Sequence, residues 1–189
     1  RKSFLIKEFI RGIIYIYRDP RDICLSWAKH SNISNRESLN FLLNKQASIN
    51  WNNIEKYEYY DKNTPVYLSD WENHFLSWTK HGLNCPFFLT SYENLVYKKE
   101  ETILKLLDFF KHNYKIEFNN IDQKINNILA TTDFKHLQNM EASIGFNEAG
   151  SNKFFAVGKK NQWKINLNYE EINVIEDKFS KIMKKLKYI

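Results

Sequence analysis

The sequence predicts an α/β fold with a mainly parallel sheet flanked by helices. Residues 13–17, IIYIY, form a short continuous apolar run, which is typical of a strand buried on both faces. A turn and a helical pattern follow this run directly. A second strand pattern, CPFFLTSYENL at residues 85–95, precedes another helical pattern at residues 98–113. Strands that alternate with helices favour parallel pairing through helical crossovers.

The composition predicts one globular domain spanning residues 1–189. The chain is 43% hydrophobic and 16% aromatic, which is enough for one core but short for two. No apolar run approaches the roughly 20 residues that a membrane span requires. Two cysteines, Cys24 and Cys85, make neither a disulfide framework nor a zinc site, which favours the cytoplasm.

The net charge of +6 comes from scattered lysines in a chain rich in Asn, Lys and Ile. This excess is compatible with an anionic ligand and equally with coding bias. A nucleic-acid-binding protein gathers its positive charge into one stripe, so we expect no nucleic-acid partner. The sequence begins with RKSFLIKEF, without an initiator methionine or a signal peptide, and we expect it to be part of a longer protein.

Helix signals recur along the chain. Asp19 is a suitable N-cap, Pro20 fits the first helical position, and Asp22 adds negative charge to the first turn of a helix that reaches about His30. The remaining patterns are two irregular segments, at 51–65 and 145–164, and further helices at 37–50, 68–81 (capped by Ser69 or Asp70), 98–113, 120–130, 133–142 and 168–187.

Arg18 stands at the carboxyl end of the first predicted strand, where open α/β sheets bind ligands. The following helix presents backbone N–H groups and the positive end of its dipole to the same place, which favours an anion. Ser26 lies about two turns into that helix, on the same face as Asp22. The alternative is that Arg18 pairs with Asp19 or Asp22 and that Ser26 is an ordinary surface residue.

The stretch YIYRDPRDICLSW resembles the 3′-phosphate-binding segment of sulfotransferases that use 3′-phosphoadenosine 5′-phosphosulfate (PAPS). In that family a strand ends in Arg-x-Pro-Arg/Lys-Asp and a serine follows at the same eight-residue interval. The arginine and the serine hold the 3′-phosphate of the cofactor. The resemblance therefore assigns this role to Arg18 and Ser26.

Three further stretches resemble the family in the same order along the chain. LTSYENL resembles the strand whose tyrosine, here Tyr92, lies beside the adenine. ATTDFKHLQNME resembles the Thr-Ser-Phe segment of the adenine pocket and contributes Thr132 and Phe134. FFAVGKKNQWK resembles the closing loop, in which Gly158 matches the family's glycine. Taken singly, Tyr92 and Phe134 are also compatible with core aromatic residues.

The closing loop departs from the family pattern. Ala156 and Val157 replace an Arg-Lys pair that contacts the 3′-phosphate, and we hypothesise that Lys159 or Lys160 compensates. Asp133 takes the place of a serine and is poorly suited to a neighbouring phosphate.

The resemblance implies a P-loop-like three-layer fold, PAPS as donor, adenosine 3′,5′-bisphosphate (PAP) as product, and a small-molecule or carbohydrate acceptor with a hydroxyl or amine. The phosphate loop and the catalytic histidine of the family are expected before Arg1, so no residue here is assigned to catalysis. We expect no metal, because the five histidines lack metal-ligand spacing. The acceptor and the oligomeric state stay open. Alternatives are an inactive nucleotide-binding or scaffolding relative and a nucleic-acid-binding domain with salt-dependent affinity.

Overall fold

The computed structural model describes residues 10–49, 66–80, 85–146 and 153–189. The strands and helices in these ranges follow one another as β1 (Ile13–Tyr17), α1 (Pro20–Ser31), α2 (Asn35–Leu43), β2 (Ser48–Ile49), β3 (Val66–Tyr67), α3 (Trp71–Lys80), β4 (Phe87–Ser91), α4 (Tyr92–Tyr97), α5 (Lys99–Tyr114), α6 (Ile121–Thr131), α7 (Phe134–Ile144), α8 (Trp163–Asn166) and α9 (Tyr169–Lys185). None of these helices is long and apolar enough to cross a membrane.

The chain divides into two compact units. Unit 1 comprises Arg1–Arg18 and Gly82–Asn161, and it contains β1, β4 and helices α4 to α7. Unit 2 comprises Asp19–His81 and Gln162–Ile189, and it contains α1 to α3, the short strands β2 and β3, and helices α8 and α9. The single domain expected over residues 1–189 stays a prediction.

Unit 1 is built on a parallel pair of strands. β1 pairs with β4 in a register that runs from Ile13 opposite Phe87 to Tyr17 opposite Ser91. Helix α5 packs on this pair, with the ring of Phe88 5.6 Å from that of Phe109. The prediction that β1 is buried on both faces is wrong: Ile13 is buried, but Ile14 and Ile16 are 46% and 51% exposed. The predicted α/β fold, a parallel sheet flanked by helices, is confirmed. Because parallel strands end at the same edge, the residues that follow the last pair, Arg18 and Tyr92, are neighbours.

The N-terminus of α1 has the predicted chemistry. The carboxylate of Asp19 accepts a hydrogen bond from the backbone N–H of Arg21 at 2.9 Å, and Pro20 occupies the first turn. Since proline has no N–H and Arg21 is capped, two of the backbone donors expected to face an anion are absent or already bound. The helix ends at Ser31, and its C-cap residue Asn32 has a left-handed φ of 53°.

Two predicted elements have wrong boundaries. The strand expected over residues 85–95 stops at Ser91, because the Ser91 hydroxyl accepts from the Asn94 backbone N–H at 3.1 Å and caps α4. Tyr92 therefore begins a helix. The helix expected at 37–50 begins at Asn35 instead, since Ser34 and Glu37 form a reciprocal capping box.

That second helix also ends earlier than predicted, at Leu43. The chain then enters β2, which pairs antiparallel with β3, Ser48 opposite Tyr67 and Ile49 opposite Val66. This two-residue ladder was not predicted. The segment expected to be irregular, residues 51–65, lies outside the described residues.

The core of unit 2 is formed by one face from each of four helices. Fully buried side chains come from α1, α2, α3 and α9: Cys24, Leu39, Phe75, Ile175 and Phe179. α9 begins with a capping box between Asn168 and Glu171, close to its predicted start. The spacing of Trp71, Phe75 and Trp78 at i, i+4 and i+7 predicts that all three side chains of α3 face the core, and Trp71 and Phe75 are buried, whereas Trp78 is 37% exposed.

Candidate functional site

Arg18 has a guanidinium with unused hydrogen-bonding capacity. Its Cζ lies 4.2 Å from the centroid of the Tyr92 ring, and its Nη2 donates to the backbone carbonyl of Lys159 at 3.3 Å. Its Nε is buried and has no hydrogen-bond partner among the described residues. Leaving a buried donor unpaired costs about 1–3 kcal/mol, so a ligand that accepts a hydrogen bond from Nε would be stabilised by removing this cost.

Tyr92 supports the guanidinium from one face. It is the first residue of α4, directly after β4, so the parallel register brings its ring against the Arg18 guanidinium.

The tyrosines of β1 have raised pKa values. Burial and then the negative charge of Glu93 raise the pKa of Tyr17. Burial raises the pKa of Tyr15 to about 12. The tyrosine hydroxyls of β1 are therefore uncharged at neutral pH, and arginine supplies the positive charge at the end of the strand.

The closing loop brings two predicted site residues together. Gly158 has a left-handed φ of 62°, and a Cβ placed on it would lie less than 3.0 Å from three carbons of the Phe134 ring. Real Cβ contacts are not this close, so only glycine fits here. The Phe134 ring also contacts that of Phe155, edge to face, at 6.2 Å. Phe134 therefore packs against the closing loop at Gly158 and Phe155. Its predicted contact with the adenine stays a prediction.

Helix α7 holds the same loop through hydrogen bonds. The two oxygens of Glu141 accept from the backbone N–H groups of Phe154 at 2.6 Å and Phe155 at 3.0 Å. The side-chain amide of Gln138 donates to the carbonyls of Phe155 at 2.9 Å and Ala156 at 3.4 Å. No local sequence pattern indicates these contacts, because they join segments that only the fold brings together.

Thr132 is already engaged by protein groups. Its hydroxyl donates to the Ile128 carbonyl at 2.6 Å and ends α6. The ammonium of Lys99 donates to the Thr132 carbonyl at 2.6 Å and to its hydroxyl oxygen at 3.2 Å. Lys99 is therefore a cation next to Thr132, a predicted cofactor residue. The sequence analysis did not identify Lys99.

Asp133 and Lys160 have local partners. The Asp133 carboxylate accepts from the His136 backbone N–H at 3.0 Å and caps α7. This explains an aspartate at the position of the family's serine, because both residue types cap helices. The backbone N–H of Lys160 donates to the Tyr97 hydroxyl at 3.1 Å, and its ammonium lies 4.6 Å from the centroid of the Tyr97 ring.

Ser26, the sixth predicted residue, lies in unit 2. It is exposed on α1, whereas Asp22, one turn earlier, is buried. Asp22 accepts a hydrogen bond from the Trp163 backbone N–H at 3.1 Å. The alternative interpretation paired Arg18 with Asp19 or Asp22. Both carboxylates bind groups within unit 2 instead, and that of Asp19 forms an ion pair with Arg21 at 2.7 Å.

Arg21 is the charged residue whose role the sequence analysis missed. Its guanidinium pairs with Asp19 and Glu176, donates to the Tyr188 carbonyl at 3.0 Å, and lies 3.7 Å from the centroid of the Trp163 ring. Burial lowers its pKa, but the hydrogen bonds and charges of the two carboxylates outweigh burial and raise it. Glu176 and Tyr188 are 155 and 167 residues away in sequence, so no local pattern indicates this network.

Other candidate chemistry is sparse in the described ranges. They contain no group of three or more His, Cys, Asp or Glu side chains that could hold a metal ion. Burial lowers the pKa of His74, which lies on α3. His81 and most of the glycine-containing segment 145–152 lie outside the described residues.

Comparison with known proteins adds a family to this geometry. A family model described as "Sulfotransferase domain" matches residues 5–187. The crystal structure of mouse sulfotransferase SULT7A1 complexed with PAP matches with a TM-score of 0.62 and 18% sequence identity. The match covers 92% of this chain and 58% of the mouse chain, so the sequence spans little more than half the length of that relative. No curated protein sequence matches.

Proposed function

The chain belongs to the sulfotransferase domain family, and from that premise we propose that the protein transfers a sulfuryl group from PAPS to an acceptor hydroxyl or amine. The observation that carries the proposal is the guanidinium of Arg18, whose buried Nε has no partner among the described residues. We propose a small-molecule or carbohydrate acceptor and a cytoplasmic location.

The Arg18 site suits a phosphate group. A guanidinium offers several donors in a fixed plane and can grip two phosphate oxygens at once. One Arg18 donor is used weakly, on the Lys159 carbonyl at 3.3 Å, and Nε is unused. A phosphate that accepts from Nε would remove the cost of its burial. We therefore assign Arg18 to the 3′-phosphate.

The adenine is assigned to the aromatic residues and the loop around Arg18. Tyr92 contacts the Arg18 guanidinium, and Gly158 packs on Phe134. The two contacts are linked within unit 1, because Arg18 donates to the carbonyl of Lys159, the residue after Gly158. Thr132, two residues before Phe134, completes the predicted set. We assign Ser26 a second contact to the 3′-phosphate.

These residues bind and orient the donor, and none of them is assigned to proton abstraction. PAPS itself supplies the sulfuryl group and a phosphate leaving group, in an in-line displacement like phosphoryl transfer. The contribution of Arg18 is positioning and charge neutralisation, which in such reactions account for much of catalysis.

A second candidate, an inactive nucleotide-binding relative, is favoured by the loop sequence. Ala156 and Val157 supply no charge where the family has Arg-Lys. The ammonium of Lys160 lies over Tyr97. A phosphate site built on Arg18 without these cations is compatible with binding that lacks turnover.

The test is PAP release from labelled PAPS by the full-length protein, over hydroxyl and amine acceptors that include phenols and sugars. We expect acceptor-dependent release that falls in Arg18→Ala and is unchanged in Arg36→Ala, a matched substitution of an exposed arginine. PAP binding without release for any acceptor would favour the inactive relative. Absence of both would contradict the proposal.

A further inference from the structure

We infer that Glu141 is a positioning residue for the cofactor site and that it acts through Arg18. The inference rests on the proposed function, because cofactor affinity is its readout. Glu141 holds the backbone of the closing loop, and this loop delivers the Lys159 carbonyl that binds the Arg18 guanidinium.

The Glu141 contact is a two-point anchor. One carboxylate oxygen accepts from Phe154 and the other from Phe155, so two successive backbone N–H groups are fixed by one side chain. Hydrogen bonds to an ionised acceptor are about twice as strong as neutral ones. Gln138 lies one turn earlier on the same face of α7 and holds the Phe155 carbonyl.

The beginning of α7 holds the same loop at a second place. Phe134, its first residue, packs against Gly158. The rings of Phe154 and Phe155 lie 5.2 Å apart, and that of Phe146 lies 4.8 Å from Phe154. One helix therefore fixes the loop before and after Ala156 and Val157, the two positions that lack the family's cations.

This arrangement changes what the loop contributes. Because Ala156 and Val157 carry no charge, the loop reaches Arg18 with a main-chain carbonyl, that of Lys159. A carbonyl contact depends on backbone position, whereas a long cationic side chain adapts to small shifts. Releasing the loop at Glu141 therefore lets the Arg18 side chain move, and most of the effect on cofactor affinity passes through Arg18.

The experiment is a double-mutant cycle on the full-length protein with Glu141→Gln and Arg18→Ala, using PAP as the probe. Glu141→Gln keeps the size of the side chain but removes its charge and one of its two acceptors. Glu101→Gln is the control, since Glu101 is an exposed glutamate that pairs with Lys105 within α5 of the same unit. Amide hydrogen exchange at Phe154 and Phe155, without ligand, reports on the loop directly, and exchange in β1 and β4 reports on the fold.

We expect Glu141→Gln to weaken PAP binding by roughly 5- to 20-fold, as the loss of a charge-assisted contact does. Exchange should accelerate at Phe154 and Phe155 and not in β1 or β4. In the Arg18→Ala background the same substitution should change affinity by less than about twofold, because coupled residues are not additive.

Two results would overturn the inference. The first is that Glu141→Gln binds PAP as tightly as the wild type does, whatever its amide exchange rates. The second is that Glu141→Gln lowers the affinity for PAP equally with and without Arg18. A failure of the proposed function looks different, because the wild type then does not bind PAP. In that case the coupling to the cofactor is overturned too, while the exchange rates still decide whether Glu141 holds the loop.

Discussion

Arg18 and Arg21 are three residues apart in the chain and have opposite surroundings. Arg21, in unit 2, is 3% exposed and is bound by two carboxylates, a carbonyl and an indole ring. Arg18, in unit 1, has one long hydrogen bond, one ring contact and a buried Nε without a partner among the described residues. Hydrogen-bond satisfaction, more than burial, separates an arginine that holds the fold from one that can hold a ligand.

The largest expected effect is on the satisfied arginine. Arg21→Met should lower the free energy of unfolding by about 3–5 kcal/mol, because it leaves the buried carboxylate of Asp19 without its cation. Urea denaturation measures this. The control Arg36→Met breaks an exposed pair with Glu170 and should cost less than about 1 kcal/mol. Equal losses in the two variants would remove the contrast between Arg21 and the surface arginines.

A smaller effect is expected in the loop beside Arg18. Gly158→Ala should cost about 1–3 kcal/mol in unfolding free energy, because the new methyl group meets the Phe134 ring and φ is left-handed. The control is the same substitution in a Phe134→Ala background, where the positive φ of residue 158 remains but the ring that the new methyl group meets is absent. The difference between the two losses in urea denaturation isolates the contact with Phe134. No difference in unfolding free energy would mean that the Phe134 ring moves away from the new methyl group without energetic cost.

The strand that carries Arg18 should show its burial at alkaline pH. Burial raises the pKa of Tyr15 from 10.0 to about 12, so the folded state favours the neutral phenol. This contribution to stability is fully present below pH 10 and is lost as the pH rises through 12. Tyr15→Phe should flatten unfolding free energy measured between pH 10 and 12, whereas Tyr169→Phe, on an exposed residue, should not. A steep decline in Tyr15→Phe would assign the loss to other groups.

The smallest effect is expected at Ser26, the predicted phosphate contact in unit 2. Ser26→Ala should weaken PAP binding by about 10-fold, the lower end of what a hydrogen bond to a charged group contributes, because Ser26 is exposed to solvent. Stability should stay within about 0.5 kcal/mol, because Ser26 is exposed on a helix and alanine favours helix. Ser77→Ala, on an exposed residue of α3, is the control for affinity. Unchanged affinity in Ser26→Ala would leave Arg18 to bind the 3′-phosphate without it.

Local signals predicted the start of the fold well. The apolar run of β1, the cap at Asp19 and the proline after it all act within a few residues, and the structure has the strand, the cap and the proline. Burial of β1 on both faces was predicted wrongly, since Ile14 and Ile16 are exposed. The start of α4 was not predicted, although Ser91 is also a local cap. The aromatic residues around Ser91 favour β-strands, and they extended the predicted strand to residue 95. The β2–β3 ladder was missed because two-residue strands carry no periodicity.

The site was predictable only where a motif carries its residues. Arg18, Tyr92, Phe134 and Gly158 came from motifs, and their assignment to the cofactor stays a prediction. Arg21 could not be found, because its partner Glu176 lies 155 residues away. Glu141 was missed for the same physical reason, since a carboxylate that accepts from loop N–H groups leaves no mark in the sequence.

The central claim, that Arg18 holds a 3′-phosphate, is tested most directly by calorimetric titration of PAP and 5′-AMP into the full-length protein and its Arg18→Ala variant. We predict that the wild type binds PAP in preference to 5′-AMP. In Arg18→Ala, PAP binding should weaken by about 2–4 kcal/mol and the preference should disappear, as expected for loss of a charge-assisted contact. PAP binding that is equal in both proteins, or no better than that of 5′-AMP in the wild type, would contradict the claim.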